Sequence, residues 1–174
     1  DKTLFIKELI EKKGEVNLFT RPRRFGKTLN MSMLRHFFGL EEQNGAELFR
    51  GLKIMEAGDE YLSHMGKYPV ISLSLKSMKQ PSYELAFEML KKAMREEYLR
   101  HWPGIEAGGK LDTADRERYL RLRDMEGTDG DYADALKFLS ECLYRTWGRK
   151  AVILIDEYDV PLESAYFGGF YDRM

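Results

Sequence analysis

Segments with helical spacing of apolar residues alternate with short, continuous apolar runs along this chain. The spacing predicts helices at residues 3–13, 28–38, 82–102, 112–125 and 131–147. The runs predict strands at residues 16–20, 70–75 and 151–155. Strands separated by helices are typical of an α/β fold with a mainly parallel sheet, and we expect this fold class.

Individual residues refine this prediction. The run at 151–155 is wholly apolar, which is typical of a strand buried on both faces of a parallel sheet. Ser82 is suited to cap the long helix at its N-terminus. Pro103 and Gly104 are expected to end that helix at Trp102. A length of 174 residues suits one domain.

The composition argues against several classes of protein. No apolar run approaches the roughly 20 residues that span a bilayer, so we expect no membrane segment. Cys142 is the only cysteine, so it can form no internal disulfide, and we expect a packing role and a reducing, cytoplasmic setting. His36, His64 and His101 are not spaced as metal ligands.

Charge is balanced over the whole chain but not locally. Lys and Arg number 28 against 29 Asp and Glu, so the net charge indicates no particular partner. Residues 1–40, however, carry nine basic and four acidic side chains. A local positive field of this kind favours an anionic ligand such as a nucleotide.

The tripeptide Gly26-Lys27-Thr28 lies between a predicted strand and a predicted helix. A helix N-terminus presents unpaired N–H groups and the positive end of a dipole to phosphates. Gly26 permits a tight turn, Lys27 can reach the β- and γ-phosphates, and the Thr28 hydroxyl can ligate Mg²⁺. The tripeptide therefore predicts a phosphate loop.

One position departs from the general phosphate-loop pattern. Arg21 stands where that pattern has its first glycine, and Pro22 fixes a turn there instead. From this motif alone, a surface turn with a solvated lysine stays open as the alternative.

A pair of carboxylates, Asp156 and Glu157, follows the predicted strand at 151–155 directly. In P-loop ATPases the first carboxylate holds Mg²⁺ and the second polarises the attacking water. By itself the pair is also compatible with an exposed acidic turn. The phosphate loop and the carboxylates together, in this order and each after a strand, favour a nucleotide site.

The chain closely resembles the bacterial AAA-ATPase-like family at residues 19–34 (FTRPRRFGKTLNMSML) and 155–162 (IDEYDVPL). Asp1-Lys2-Thr3 and the predicted strand near Val70 are also similar to parts of that family. The arginine-rich loop is typical of the family, so Arg21 is no objection. Its ATPase domain is often followed by a restriction-nuclease-like domain, which implies such a domain, and DNA, as partners in the parent protein.

The resemblance implies a P-loop NTPase three-layer sandwich with the sheet order 5-1-4-3-2. The predicted strands would be its first, second and third, and residues 1–174 would be the N-terminal part of the domain. ATP and Mg²⁺ are the implied cofactors. The implied nucleotide-binding residues are Pro22, Arg23, Arg24, Phe25, Gly26, Lys27, Thr28 and Leu29. The implied catalytic residues are Lys27 and Glu157, and the implied Mg²⁺ ligands are Thr28 and Asp156.

Two classes of function follow. The first is an ATPase that uses Mg-ATP to drive or switch a larger protein. The second is a nucleotide-dependent interaction module with little turnover, attached to a nuclease-like domain. A small-molecule kinase is less well supported, because the sequence shows no constellation for a second substrate.

Two further features have structural interpretations. Arginines between residues 116 and 123 interleave with Asp and Glu, which favours a solvated helix face over a nucleic-acid surface. Asp159 can join the metal site or cap the following helix, and we expect the cap.

Overall fold

The computed structural model describes residues 1–12, 14, 16–19, 26–41 and 45–174. It has the expected α/β class, mostly helical with a small parallel sheet of two strands. The described residues form two compact units, Asp1–Val70 and Ile71–Met174. Within them, no helix has both the length and the apolar character that crossing a membrane requires.

Short helices make up the first unit. They are α1 (Leu4–Lys12), α2 (Lys27–Phe38), α3 (Gly45–Leu48) and α4 (Asp59–Leu62), with a 3-10 turn at Lys53–Glu56. Phe37 is fully buried and meets the rings of Phe38 and Phe49 edge to face, with centroids 5.2 and 5.5 Å apart. α1 and α2 confirm the helices predicted at 3–13 and 28–38, each within about a residue.

Residues 16–19 form no strand, although the apolar run predicted one at 16–20. Val16 is 88% exposed and Leu18 is 67% exposed. The Asn17 side-chain amide donates a hydrogen bond to the Gly14 carbonyl. Strand preference depends on packing against a neighbouring strand, and the described residues place none beside this segment. Thr20 lies outside the described residues.

The second unit contains the sheet and the longer helices. Its elements are β1 (Val70–Ser74, beginning at the last residue of the first unit), α5 (Tyr83–Gly108), α6 (Thr113–Arg123), α7 (Asp129–Ala133), α8 (Ala135–Trp147), β2 (Val152–Asp156) and α9 (Asp159–Gly168). Further 3-10 turns lie at Lys76–Met78 and Tyr171–Arg173. In the core, the buried Tyr98 hydroxyl donates to the Ala135 carbonyl, and the Tyr119 hydroxyl donates to the Tyr98 carbonyl, both at 2.8 Å. These bonds join α5, α6 and α8.

β1 and β2 are parallel neighbours. The Leu75 N–H donates to the Asp156 carbonyl at 3.0 Å, so the carboxyl ends of the two strands meet. This adjacency agrees with the expected second and third strands. The complete P-loop sandwich is not confirmed, because the described residues form a sheet of two strands.

One face of β2 is open, which differs from the predicted burial on both faces. Ile153 is 42% exposed, whereas Leu154 on the other face is buried. The open face borders a groove of about 960 Å³. Its apolar lining includes Leu73, Leu75, Leu90, Leu136, Ile153 and Ile155.

α5 continues through Pro103 to Gly108, so the prediction that it ends at Trp102 is wrong. An interior proline costs a helix about 3 kcal/mol, and packing must offset this. Ile105 is 2% exposed and belongs to the core. A Cβ at Gly104 would lie 2.8 Å from the Trp147 ring, so this glycine lets α8 approach closely. Tertiary contact therefore extends the helix beyond its local stop signal.

The helix predicted at 131–147 is two helices, α7 and α8, separated at Asp134. α7 begins early because Thr128 and Asp131 form a capping box, each side chain accepting the other's backbone N–H. Arg118 pairs with both Asp131 and Asp134, which fixes the junction. Gly148 ends α8 in a left-handed conformation, as predicted.

A buried carboxylate fastens α5 to β1. Glu97 is 5% exposed and accepts the Ser72 N–H at 2.8 Å and the Arg100 guanidinium at 2.5 and 3.1 Å. Burial alone would raise the pKa of the Glu97 carboxyl. The adjacent His101 and Arg100 side chains and the Ser72 N–H more than offset this, and the pKa falls to about 2. Glu97 is therefore ionised in the folded protein at neutral pH.

We predict that the Glu97 carboxylate makes the free energy of unfolding depend on pH. Its folded pKa lies below the ordinary value of 4.5, so it stabilises the fold above about pH 4.5 and progressively less as the pH falls toward 2. Glu97→Gln should lower the free energy of unfolding by roughly 2–3 kcal/mol at pH 7. The deficit should shrink at pH 3. Urea unfolding followed by circular dichroism at pH 7, 4 and 3 measures it.

Glu96→Gln is the matched control, because Glu96 is the exposed neighbour on the same helix. It should change the free energy of unfolding by less than about 0.5 kcal/mol at each pH. An equal deficit for Glu97→Gln at pH 7 and pH 3 would contradict the assigned ionisation.

Candidate functional site

The N-terminus of α2 carries the described part of the predicted phosphate loop. Gly26 is the N-cap residue, with φ 75° and ψ 26° in the left-handed region that glycine adopts without strain. As a glycine, Gly26 makes no side-chain capping hydrogen bond. The first helical hydrogen bond runs from the Asn30 N–H to the Gly26 carbonyl at 3.0 Å, so the N–H groups of the first turn face the N-terminal end of α2. Lys27 and Thr28 occupy the first two helical positions.

The remaining predicted loop residues lie outside the described residues. They are Arg21, Pro22, Arg23, Arg24 and Phe25. Leu29 is described and lies in the first turn of α2, 69% exposed. The predicted roles of all these residues remain predictions.

The carboxyl end of β2 carries the predicted acidic pair. Asp156 is the last residue of the strand and its carbonyl accepts the Leu75 N–H, so β1 holds it in place. The Asp156 carboxylate accepts the Glu157 N–H at 2.9 Å. The Glu157 carbonyl in turn accepts the Val160 N–H at 3.1 Å, which opens α9. Both acidic side chains are half-buried.

Glu157 has φ 55°, in the left-handed region that residues with side chains rarely adopt. Such a conformation costs on the order of 1–2 kcal/mol relative to glycine. Among the described residues other than glycine, Met125 alone shares a positive φ. Strain of this kind is common where a side chain must take a fixed direction for function. Here it accompanies a carboxylate at the end of a strand.

Asp159 does not cap α9, which corrects our expectation. It is the first residue of the helix, the N-cap position belongs to Tyr158, and no side chain makes a capping hydrogen bond. An Asp in the first turn still interacts favourably with the helix dipole. Pro161 is tolerated in this turn because its missing N–H would have no partner inside the helix.

Thr28 in the first unit and Asp156 in the second each offer a type of oxygen donor that Mg²⁺ takes. Magnesium bound with a nucleotide takes one or two protein oxygens and completes its shell with phosphate oxygens and water. The Thr28 hydroxyl and the Asp156 carboxylate are oxygen donors of that kind. No cluster of three or more His, Cys, Asp or Glu suited to a metal occurs in the part of the chain that the structure describes.

Arg118 and Arg123 of α6 form ion pairs and ring contacts within the second unit. Arg118 pairs with Asp131 and Asp134, and its guanidinium lies 4.4 Å from the centroid of the Phe138 ring. Arg123 pairs with Asp124 and packs against Trp102. Cys142 is also structural, since it is fully buried and burial raises the pKa of its thiol to about 12.

Lys2, to which the sequence analysis gives no role, lies beside Gly26. The Lys2 ammonium lies 3.6 Å from the point that a Cβ on Gly26 would occupy. The available signal was Asp1-Lys2-Thr3, which resembles the family's start but had no role attached to it. Sequence separation hid the proximity.

Comparison with known proteins gives one match. A family model described as predicted AAA-ATPase, AAA-ATPase-like, matches residues 1–172. Neither the search of curated proteins nor the search of solved structures gave a match. Since the family model covers nearly the whole sequence, the chain belongs to the AAA-ATPase-like family.

Proposed function

We propose that this chain binds Mg-ATP and hydrolyses it, as the ATPase part of a larger protein that the reaction drives or switches. The observation that carries this proposal is Gly26 in the left-handed conformation directly before Lys27 and Thr28 at the start of α2. This is the backbone that a phosphate-binding helix start uses. Membership of the family supports nucleotide binding in general.

In this proposal the phosphates lie against the first turn of α2. The N–H groups of Lys27, Thr28 and Leu29 donate to phosphate oxygens, and residues 22–26 complete the loop. The Lys27 ammonium stabilises the charge on the β- and γ-phosphates. Thr28 and Asp156 would hold Mg²⁺, which when bound neutralises phosphate charge and lowers the barrier to attack.

Glu157 is the proposed general base. It accepts a proton from water as the water oxygen forms a bond to the γ-phosphorus, and the bond between that phosphorus and the bridging oxygen breaks. ADP carries away the electron pair of the broken bond, and inorganic phosphate is the second product. The left-handed backbone of Glu157 supports this role, since it sets the carboxylate's direction through the main chain.

We predict that Lys27→Ala and Glu157→Gln separate binding from turnover. Lys27→Ala removes a charge-assisted phosphate contact and should weaken ATP binding at least tenfold. Glu157→Gln keeps the shape but cannot accept a proton, so it should bind ATP normally and lose turnover by roughly 10²–10⁴-fold. Calorimetric ATP binding and phosphate release, both in Mg²⁺, measure the two effects.

Lys12→Ala is the control, because it removes the same charge from the exposed end of α1. It should leave both quantities within about twofold. Equal loss of ATP affinity in Lys27→Ala and Glu157→Gln would contradict Glu157 as the base. ATP binding without turnover by the unaltered protein would support the alternative, a nucleotide-dependent interaction module.

We also predict that the left-handed backbone of Glu157 lowers the free energy of unfolding, while its carboxylate is needed for turnover. Glu157→Gly removes the φ strain and should raise the free energy of unfolding by up to about 1 kcal/mol, since glycine's extra unfolded-state entropy offsets part of the relief. It should abolish turnover. Glu157→Gln keeps the strain and should match the unaltered protein in stability. Urea unfolding and phosphate release measure the pair.

Met125→Gly is the matched control for the backbone, because Met125 has φ 63° and lies outside the proposed site. It should change stability while leaving turnover intact. A Glu157→Gly variant that is less stable than Glu157→Gln by more than 1 kcal/mol would show that Glu157 is not strained.

A further inference from the structure

The first three residues form a fixed bracket in the first unit. The Asp1 carboxylate accepts the Thr3 N–H at 2.8 Å and the Lys53 N–H at 2.7 Å. The Thr3 hydroxyl oxygen accepts the Ile54 N–H at 3.0 Å, and Thr3 is 4% exposed. Both residues that flank Lys2 are therefore fastened to one 3-10 turn. Charge-assisted bonds to backbone N–H groups are among the stronger hydrogen bonds in proteins.

The backbone of Lys2 is fixed from its other side as well. Its carbonyl accepts the Phe5 N–H at 3.0 Å, which is the first hydrogen bond of the turn that opens α1. Ile6, one residue further, is completely buried. The Lys2 side chain thus extends from an anchored main chain, although the side chain itself is exposed.

The Lys2 ammonium lies beside the start of α2. It is 3.6 Å from the position of a Cβ built on Gly26, the N-cap residue. Among the described residues, no carboxylate forms an ion pair with it. The Lys2 ammonium therefore lies beside the positive end of the α2 dipole, at the residue that Lys27 follows in the chain.

A lysine side chain beside a helix N-terminus is unfavourable without an anion. Helix N-termini favour negative side chains, and a lysine is favourable at the opposite end. A bound polyanion offsets this cost, because phosphate oxygens attract both the ammonium group and the positive end of the dipole.

We propose that Lys2 is a phosphate-binding residue of the nucleotide site, with Asp1 and Thr3 as the positioning residues that hold it there. The assignment rests on the proposed function. In addition to Lys27, Lys2 offers an ammonium group to the triphosphate chain from its position beside Gly26. The tripeptide Asp1-Lys2-Thr3 is thereby part of the same site as Gly26-Lys27-Thr28.

The test compares Lys2→Met, Lys2→Arg and Lys12→Met, with Lys27→Met as the reference for a lost site. Lys2→Met keeps the apolar stem without the charge and should weaken ATP binding about tenfold or more. Lys2→Arg keeps the charge and should recover most of the affinity. Lys12→Met removes an equal charge from α1 and should stay within twofold. Calorimetry with ATP, tripolyphosphate and adenosine in Mg²⁺ measures these affinities.

Across these variants the affinity for tripolyphosphate should change as the affinity for ATP does. The affinity for adenosine should be the same with and without the Lys2 charge. A second measurement needs no variant. ATP should protect Lys2 and Lys27 from acylation by an amine reagent, as read by peptide mass spectrometry, and should leave Lys12 reactive.

The outcomes separate this assignment from the proposed function. ATP binding that Lys27→Met abolishes and Lys2→Met leaves within twofold, with Lys2 unprotected, overturns the role of Lys2 and leaves the ATP site standing. Failure of the unaltered protein to bind ATP or tripolyphosphate overturns both. An effect of Lys2→Met on adenosine equal to its effect on ATP also overturns the phosphate role, because it shows a general structural defect.

Discussion

The hydrogen bond between the Glu97 carboxylate and the Ser72 N–H holds the sheet of the second unit against its longest helix. Ser72 lies in the middle of β1, and its N–H points away from β2 because alternate residues of a strand bond to opposite sides. A buried carboxylate thus satisfies an outer-edge donor that would otherwise be costly. With β1 fixed, the Leu75 N–H fixes the end of β2, and the position of Asp156 and Glu157 follows.

The first unit positions its cationic groups by a different means. Gly26 reaches the left-handed conformation without strain, and α2 then begins with Lys27. Lys2, far away in sequence, arrives at the same place because polar anchors on both sides hold its main chain. Hydrogen bonds of the flanking residues therefore place a cation beside the N-terminus of α2. A positive charge beside a helix N-terminus favours a ligand of opposite charge.

Glu157 marks a position where local stability is sacrificed. Glycine occupies this region at Gly26 without strain, whereas Glu157 occupies it with a full side chain. The hydrogen bond from the Glu157 N–H to the Asp156 carboxylate and the start of α9 keep the turn in place. Surrounding structure can maintain such a conformation only when it over-determines the backbone. The parallel pairing of β2 supplies that constraint on one side and α9 supplies it on the other.

The sequence by itself determined the α/β class, most helix positions and both short motifs, because periodicity, caps and turn residues are local properties. It also identified the family through those motifs. Only the tertiary structure decided that α5 continues past Pro103, since contact with Trp147 outweighs a local stop signal. It likewise decided that residues 16–19 form no strand, because a strand depends on a partner. The left-handed backbone of Glu157 was likewise seen only in the tertiary structure. The approach of Lys2 to Gly26 arises from contacts distant in sequence, which no local pattern encodes.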